Sequence, residues 1–77
     1  EVHIQPQAIK LLNGDICTWH VCIPLRVTGD RLVVAMANPL DESAIYKLRD
    51  ISQREITPVV GAASQIMDAI DAHYGTF

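Results

Sequence analysis

The sequence predicts an α/β (α+β) fold, a small sandwich in which a three-stranded mixed sheet packs against helices. Three observations predict it. First, two apolar segments at 21–27 and 31–37 flank a tight turn. Second, a helical pattern and then a third apolar segment follow within residues 39–60. Third, a last helical pattern comes near the end of the chain. The predicted order is therefore α-β-β-α-β-α, a hairpin followed by a βαβ crossover, in a single domain over residues 1–77.

The amino-terminal segment is predicted to be helical. Pro6 suits the first turn of a helix over residues 6–12, because its missing N–H is one that the first turn leaves unbonded in any case. Asn13 and Gly14 end this helix, and residues 16–20 are expected to add another helical turn or two.

The first two strands are predicted to form a hairpin around a turn at residues 28–30. In residues 21–27 every second side chain is apolar and is expected to face the core. The other face carries Cys22, Pro24 and Arg26. Pro24 cannot donate a ladder hydrogen bond, which places this strand at an edge of the sheet. Residues 31–37 are almost continuously apolar, which is typical of a middle strand or of one covered on both faces.

The second half of the chain is predicted to form a helix, a strand and a helix. Asn38 is expected to cap the first of these helices, with Pro39 at its first position. Apolar residues recur at helical spacing on the face that we expect to pack on the sheet. They are Leu40, Ala44, Ile45, Leu48 and Ile51. Residues 55–60 form the third strand, and a right-handed crossover makes it parallel to the second, which then lies in the middle.

The last helix is predicted at residues 63–74, with Gly75 as its carboxyl-terminal cap. Its apolar face comprises Ile66, Met67, Ile70 and Tyr74. Glycine is favoured at such a cap because it adopts a left-handed backbone without a steric penalty.

Composition and charge exclude several classes of function. The net charge is −3 and the isoelectric point is about 5.4, so the chain lacks the basic footprint of proteins that bind nucleic acid or anionic membranes. No apolar run reaches the ~20 residues that span a bilayer. Two cysteines are too few for a disulfide framework, which favours a reducing cytoplasm. Because the first residue is Glu1, we expect a module excised from a larger protein.

The segment "DICTWHVCIPL" at residues 15–25 raises the question of a metal or redox site, because it holds both cysteines and a histidine. Structural zinc needs four ligands, and Cys17, His20 and Cys22 supply three. The redox motif has two residues between its cysteines, whereas this segment has four. We therefore expect Cys17 and Cys22 to be small core residues. Zinc binding is kept as an alternative that predicts stoichiometric metal in the purified protein.

No residue pattern predicts catalysis. Ser43, Ser52 and Ser64 have no neighbouring base in the sequence, and the chain contains no GxxxxGK[ST] phosphate-binding loop. Trp19 has two open interpretations. Its ring either closes the end of the core as a lid or stays exposed as an anchor for a partner protein.

Four segments, "PQAIKLL", "HVCIPLRVTGDRLVVAMANPLD", "EITPVV" and "IMDAIDAHYG", occur in this order along the chain. Together they resemble the amino-terminal domain of type II secretion and type IV pilus assembly ATPases. The resemblance covers residues 4–75. Its most specific parts are residues 23–25 (Ile-Pro-Leu), residues 32–41 and residues 70–75 in that order.

The resemblance implies a non-catalytic adaptor without a cofactor. In this family the hexameric motor and its nucleotide site lie further along the chain. The amino-terminal domain docks the motor on the inner-membrane assembly platform through the cytoplasmic part of a membrane protein. The implied partners are that cytoplasmic domain and the motor domain of the same parent chain, in the cytoplasm, with no nucleic acid and no direct membrane insertion. The same module also occurs in other bacterial proteins, including glycosyltransferases and signalling proteins.

A nucleotide-sensing module is the alternative function. Some relatives bind cyclic-di-GMP through tandem motifs that open with R-L-G and end in L-x-x-x-L-x-x-Q, and this sequence has no such motif. In this alternative, phosphate groups would meet some of the arginines. These arginines are Arg26, Arg31, Arg49 and Arg54.

Three departures from the family pattern bear on the structure. Gln53 stands where relatives often have glycine, so a left-handed backbone there would be mildly strained. Ala62 stands where Ser or Thr usually caps the last helix, a loss of about 1 kcal/mol. Trp19 stands at a commonly charged position, which favours its exposure. Trp19, Arg26 and Arg31 are the predicted partner contacts.

Overall fold

The computed structural model describes residues 4–74, and these residues form four helices and three strands. The elements are α1 (Pro6–Ile9), α2 (Gly14–His20), β1 (Cys22–Thr28), β2 (Arg31–Met36), α3 (Glu42–Ser52), β3 (Glu55–Val60) and α4 (Ala63–Tyr74). The predicted fold class is confirmed. The order gains one element, because α2 is a complete second helix where the sequence predicts a turn or two.

The three strands form one mixed sheet of order β1-β2-β3, in which β2 is antiparallel to β1 and parallel to β3. The predicted middle position of the second strand is confirmed. Cys22, Met36 and Val60 pair in a row across one end of the sheet, and Thr28, Arg31 and Glu55 pair across the other. We call residues 19–22, 36–42 and 60–62 the Met36 end, and residues 26–31 and 49–55 the Arg31 end.

Strand β1 lies at an edge, as Pro24 predicts, but its side chains do not alternate as predicted. A bulge between Pro24 and Arg26 interrupts the pairing with β2, and the four side chains of residues 22–25 are all buried. The backbone N–H of Gln5 donates to the Leu25 carbonyl at 2.8 Å, on the outer edge of the strand. The bulge breaks the two-residue period, which explains why the alternation fails.

The strand also begins later than predicted, because Val21 belongs to the end of α2. Val21 has a left-handed backbone with φ 50°. Its N–H donates to the Thr18 carbonyl, and its own carbonyl accepts from the N–H of Ala37. This conformation is unfavourable for a β-branched residue and persists only where neighbouring contacts hold it. These bonds tie the end of α2 to the segment that leaves β2.

Both faces of the middle strand are covered, as its apolar sequence predicts. Residues 32–36 point alternately to the two faces of the sheet, and all five are buried. Helices α1, α2 and α4 pack against β1, and α3 packs against β3. The core therefore runs without interruption from Ala8 in α1 to Leu48 in α3.

Helix α3 begins at Glu42, so the predicted start at Pro39 is wrong. Asp41 is the cap, and its Oδ1 accepts from a backbone N–H in the first turn at 3.2 Å. Asn38 instead caps a preceding turn, where its Oδ1 accepts from the Leu40 N–H at 3.3 Å. Leu40 stands outside the helix and is 85% exposed, so its predicted packing on the sheet is wrong too. The sequence offers two capping side chains close together, and periodicity does not choose between them.

The end of α3 agrees with the expectation drawn from the family pattern. Gln53 adopts the left-handed conformation that relatives satisfy with glycine, with φ 59°, and its N–H donates to the Arg49 carbonyl. The buried Ser52 is the last helical residue, and its Oγ accepts from the Arg54 N–H at 3.2 Å. These bonds turn the chain sharply from α3 into β3.

Two residues predicted to face the core lie at its rim. Ile51 is 38% exposed and Met67 is 37% exposed, whereas Leu48, Ile66 and Ile70 on the same two helices are buried. The apolar faces of α3 and α4 are therefore narrower than the helical spacing of their apolar residues predicts.

Helix α4 has the bounds that the sequence predicts. Ala62 immediately precedes it, and its carbonyl accepts from the Ile66 N–H at 2.9 Å, as the residue before a helix does. A methyl group stands there in place of a capping hydroxyl. The predicted cap Gly75 lies outside the described residues.

Candidate functional site

The three predicted partner-contact residues lie toward opposite ends of the sheet. Trp19 is in the last turn of α2 at the Met36 end, whereas Arg26 and Arg31 are exposed on the β1–β2 hairpin at the Arg31 end. The rows that mark the two ends are about 17 Å apart, given a strand rise of about 3.3 Å per residue. The structure does not bring the three side chains into one site. Contact of any of them with a partner stays a prediction.

The exposed position of Trp19 follows from how α2 is held. Asn13 caps the helix through its Oδ1, which accepts from the Ile16 N–H at 2.8 Å, and the left-handed Val21 ends it. Cys17 takes the inward position of this short helix and is fully buried. Trp19 then points away from the core and is 81% exposed, so the lid interpretation is wrong. A large ring in water is typical of an anchor for a partner.

Two further apolar side chains are exposed at the Met36 end, and neither is among the predicted partner contacts. Leu40 is 85% exposed in the turn after β2, and Val60 is 75% exposed at the end of β3. The N–H of Gly61 donates to the Met36 carbonyl at 3.0 Å, which holds the end of β3 beside β2. The sequence does contain a signal for the exposure of Leu40. Asp41 is as good a helix cap as Asn38, and a helix that Asp41 caps begins after Leu40.

The Arg31 end holds a polar cleft of about 420 Å³ between α3 and the starts of β2 and β3. It is lined by Asp30, Tyr46, Arg49, Asp50, Gln53, Arg54 and Glu55. The Arg49 Nε lies 3.5 Å from the Glu55 Oε2, and both side chains are mostly exposed, so this ion pair contributes little to stability. The Arg54 Nε is buried and has no hydrogen-bond partner among the described residues.

The charges of the cleft do not favour a polyanionic ligand. Three carboxylates and two guanidinium groups line it, which gives a formal charge of −1. Arg49 and Arg54 are the two lining arginines, whereas Arg26 and Arg31 are not among the lining residues. The four arginines of the nucleotide-sensing alternative are therefore not gathered around this cleft.

The two cysteines and Tyr74 form a hydrogen-bonded cluster in the core. Cys17 and Cys22 are both fully buried, and their thiols interact with one another. The Cys17 Sγ lies 3.6 Å from the Tyr74 hydroxyl oxygen, and that hydroxyl donates to the Ile9 carbonyl at 3.0 Å. The cluster joins α1, α2, β1 and α4, so the prediction of two core residues is confirmed.

The two buried thiols of the cluster differ in acidity. The hydrogen bond with Cys22 lowers the pKa of the Cys17 thiol, although burial opposes this change. The hydrogen bond from Cys17, together with burial, raises the pKa of the Cys22 thiol far above its ordinary value. Burial, together with the bond to Cys17, raises the pKa of the Tyr74 hydroxyl. A nucleophilic cysteine needs a thiolate in an exposed, electropositive environment. Cys22 is instead a neutral packing residue.

Residues 4–74 lack two further features. Among them, no three His, Cys, Asp or Glu side chains converge in a way that could hold a metal ion. None of the helices in this part of the chain is both long enough and apolar enough to cross a bilayer.

A family model accounts for the whole chain. The model of the MshEN domain matches residues 1–77. The chain belongs to the MshEN domain family. The resemblance to the amino-terminal domains of secretion and pilus ATPases, which the sequence motifs indicate, is thereby confirmed.

A pilus assembly ATPase is among the proteins to which this MshEN domain is similar. The type IV pilus assembly ATPase PilB of Myxococcus xanthus (strain DK1622) is 30% identical over 71 residues, which cover 92% of this chain and 12% of PilB. The chain thus spans a small part of the length of that curated relative.

Two solved structures share the MshEN fold. MshE, in a structure with cdg (c-di-GMP), has a TM-score of 0.86 at 24% identity, covering 96% of this chain and 54% of that one. The amino-terminal domain of XpsE has a TM-score of 0.75 at 20% identity, and the match covers 91% of this chain and 55% of that one. This likeness establishes the fold, and the chain spans about half of each solved structure.

Proposed function

We propose that this MshEN domain is a non-catalytic docking module of a bacterial type II secretion or type IV pilus assembly ATPase. It joins the motor domain of its parent chain to the cytoplasmic part of an inner-membrane platform protein, and it works in the cytoplasm. The observation that carries the proposal is the match of the family model over the whole chain, together with the similarity to PilB.

The surface of the domain supports a role in docking. The Met36 end exposes Trp19, Leu40 and Val60, each with at least three quarters of its area in water. Aromatic and aliphatic anchors of this kind supply most of the binding energy in protein interfaces. The cysteine cluster, by contrast, is buried, and the polar cleft at the Arg31 end lacks a paired nucleophile and base among its lining residues.

The test is a titration of the 77-residue chain, labelled for NMR, with the cytoplasmic domain of the cognate platform protein. We expect saturable shifts confined to one surface. The absence of chemical-shift changes at high micromolar concentrations of the partner would contradict the proposal. An unrelated cytoplasmic domain of similar size and charge serves as the control.

Nucleotide sensing is the second candidate, and the structure of MshE with c-di-GMP favours it. A phosphate in the cleft at the Arg31 end would meet Arg49 and Arg54, which are among its lining residues. The three carboxylates of that cleft repel a phosphodiester. We therefore rank this function below docking.

Calorimetry with c-di-GMP distinguishes the two functions. Docking alone predicts no heat of binding at micromolar nucleotide. Tight binding that Arg54→Gln abolishes, and that Arg26→Gln leaves unchanged, would instead establish a nucleotide site in the cleft and reverse the ranking.

A further inference from the structure

We infer that the Met36 end is a docking surface for an amphipathic helix whose polar face carries lysine or arginine. The inference rests on the proposed docking function and names the chemistry of the partner segment. It is carried by two independent observations, the presence of three exposed apolar side chains at one end of the sheet and the distribution of charge along the chain.

The fold brings three separate exposed side chains to one end of the sheet. Cys22, Met36 and Val60 form the terminal row of pairs. Trp19 comes three residues before this row, and Leu40 comes four residues after it. The N–H of Ala37 donates to the Val21 carbonyl, and this hydrogen bond holds the segment that enters β1 beside the segment that leaves β2. These are the three most exposed large hydrophobic side chains among the described residues, at 75% to 85%.

The segments that form the Met36 end carry no lysine or arginine of their own. Residues 11–25, 32–46 and 55–74 contain no lysine and no arginine. These three segments supply the whole Met36 end. All six basic residues fall at position 10, within 26–31 or within 47–54.

Exposed carboxylates accompany the exposed apolar side chains. Asp15 lies one helical turn before Trp19 on the same face of α2. Glu42 follows Leu40 by two residues and is exposed in the first turn of α3. An apolar surface with an acidic rim is complementary to a helix that has leucine-type anchors on one face and cations beside them.

The same charges argue against two other occupants. A second copy of this chain would bring carboxylates against carboxylates, without a lysine or arginine from either Met36 end to pair with them. An anionic membrane surface would be repelled for the same reason. A basic helix has no such conflict.

The test uses a designed 18-residue helical peptide of leucine, alanine and lysine, and the same peptide with glutamate in place of every lysine. Trp19 is the one tryptophan of the chain, so its fluorescence reports directly on the Met36 end. We expect the lysine peptide to shift the emission to shorter wavelength with saturation. The glutamate peptide is expected to bind at least about tenfold more weakly, because like charges would then face each other. Equal binding of the two peptides would overturn the inference.

Variants locate the binding surface. Leu40→Ser is expected to lower the affinity for the lysine peptide by about tenfold, because it removes an apolar anchor. Tyr46→Ser is the matched control, because Tyr46 is 72% exposed but lines the cleft of the Arg31 end. Glu42→Gln is expected to weaken binding at low salt, and Glu55→Gln at the opposite end is not. Equal effects of Leu40→Ser and Tyr46→Ser would indicate nonspecific adhesion and overturn the inference.

The platform protein separates this inference from the proposed function. If its cytoplasmic domain binds and Leu40→Ser leaves the affinity unchanged, the docking function holds and the Met36 end is the wrong surface. If that domain does not bind, although the lysine peptide saturates at the Met36 end, the platform role fails and the surface assignment holds. Loss of platform binding in Leu40→Ser, with Tyr46→Ser unaffected, supports both.

Discussion

The two ends of the sheet differ in what they expose to water. The Met36 end exposes a tryptophan, a leucine and a valine beside carboxylates, and the segments that build it carry no lysine or arginine. The Arg31 end exposes charges of both signs around a polar cleft. Exposed ion pairs contribute little to binding or stability, whereas exposed apolar area is a strong driving force for association. The Met36 end is therefore the better candidate for a docking surface.

Each end also holds one residue in a left-handed backbone. Val21 at the Met36 end and Gln53 at the Arg31 end both have positive φ, and neither is glycine. Gln53 is exposed, whereas Val21 packs against the core. The strain at Gln53 can therefore be relieved by mutation without loss of packing, and the strain at Val21 cannot.

The largest expected effect separates a buried leucine from an exposed one. Leu48 is fully buried in the core between the two ends, and Leu40 is 85% exposed at the Met36 end. Leu48→Ala is expected to lower the free energy of unfolding by about 3 kcal/mol. Leu40→Ala is expected to change it by less than about 0.5 kcal/mol. Urea denaturation measures both, and a comparable loss in Leu40→Ala would mean that Leu40 packs in the fold.

The next effect is a pH dependence that arises beneath the Met36 end. The pKa of Tyr74 is raised in the folded state, first by burial, so the unfolded chain releases this proton first. The stabilisation is complete below the unfolded pKa, roughly 10. It is then lost as the pH rises, by up to about 1.4 kcal/mol per unit.

Denaturation at a series of pH values from 7 to above the ordinary tyrosine pKa checks this prediction. Tyr74→Phe is the matched variant, because it keeps the ring and removes the ionisable hydroxyl. Its free energy of unfolding should fall less steeply at the alkaline end than that of the unaltered chain. Parallel curves for the two proteins would show that Tyr74 ionises as freely in the folded state as in the unfolded one.

A smaller effect compares the two left-handed residues. Gln53→Gly is expected to raise the free energy of unfolding by about 1 kcal/mol, because glycine adopts φ near 59° without a Cβ clash. Val21→Gly is expected to give no such gain, since it removes a side chain that packs against the core. Thermal and urea denaturation of both variants provide the measurement. Stabilisation by Val21→Gly alone would reverse the assignment of strain.

The smallest expected effect concerns the ion pair at the Arg31 end. Glu55→Gln removes the contact with Arg49, whose side chain is 58% exposed. We expect a loss of no more than about 0.5 kcal/mol, which disappears at high salt. Asp71→Asn is the control, because it also removes one negative charge, at an exposed position of α4. A salt-resistant loss above about 1 kcal/mol would mean that the polar cleft stabilises the fold.

Much of the fold could be predicted because it depends on local chemistry. The missing N–H of Pro24 predicts an edge strand, the continuous apolar run at 31–37 predicts a middle strand, and the strand–helix–strand order predicts a parallel pair. Each of these is a property of a few neighbouring residues. The structure has all three features.

The candidate surface could be predicted only in part. The family pattern favours exposure of Trp19, but the residues alone left its ring open between a core lid and an exposed anchor. Leu40 was expected in the core, and Val60 was not singled out. The choice between Asn38 and Asp41 as cap depends on which turn packs better against the rest of the protein. Local propensity gives the two residues nearly equal weight, so the sequence alone leaves the choice open.

By itself, the sequence determined the family, the order of the elements and the segregation of charge, because these are written in the kind and spacing of residues along the chain. Tertiary structure alone decided that Trp19, Leu40 and Val60 all lie toward one end of the sheet while the paired Arg49 lies at the other. The reason is that strand register joins residues far apart in the sequence, and only packing of the whole core fixes that register.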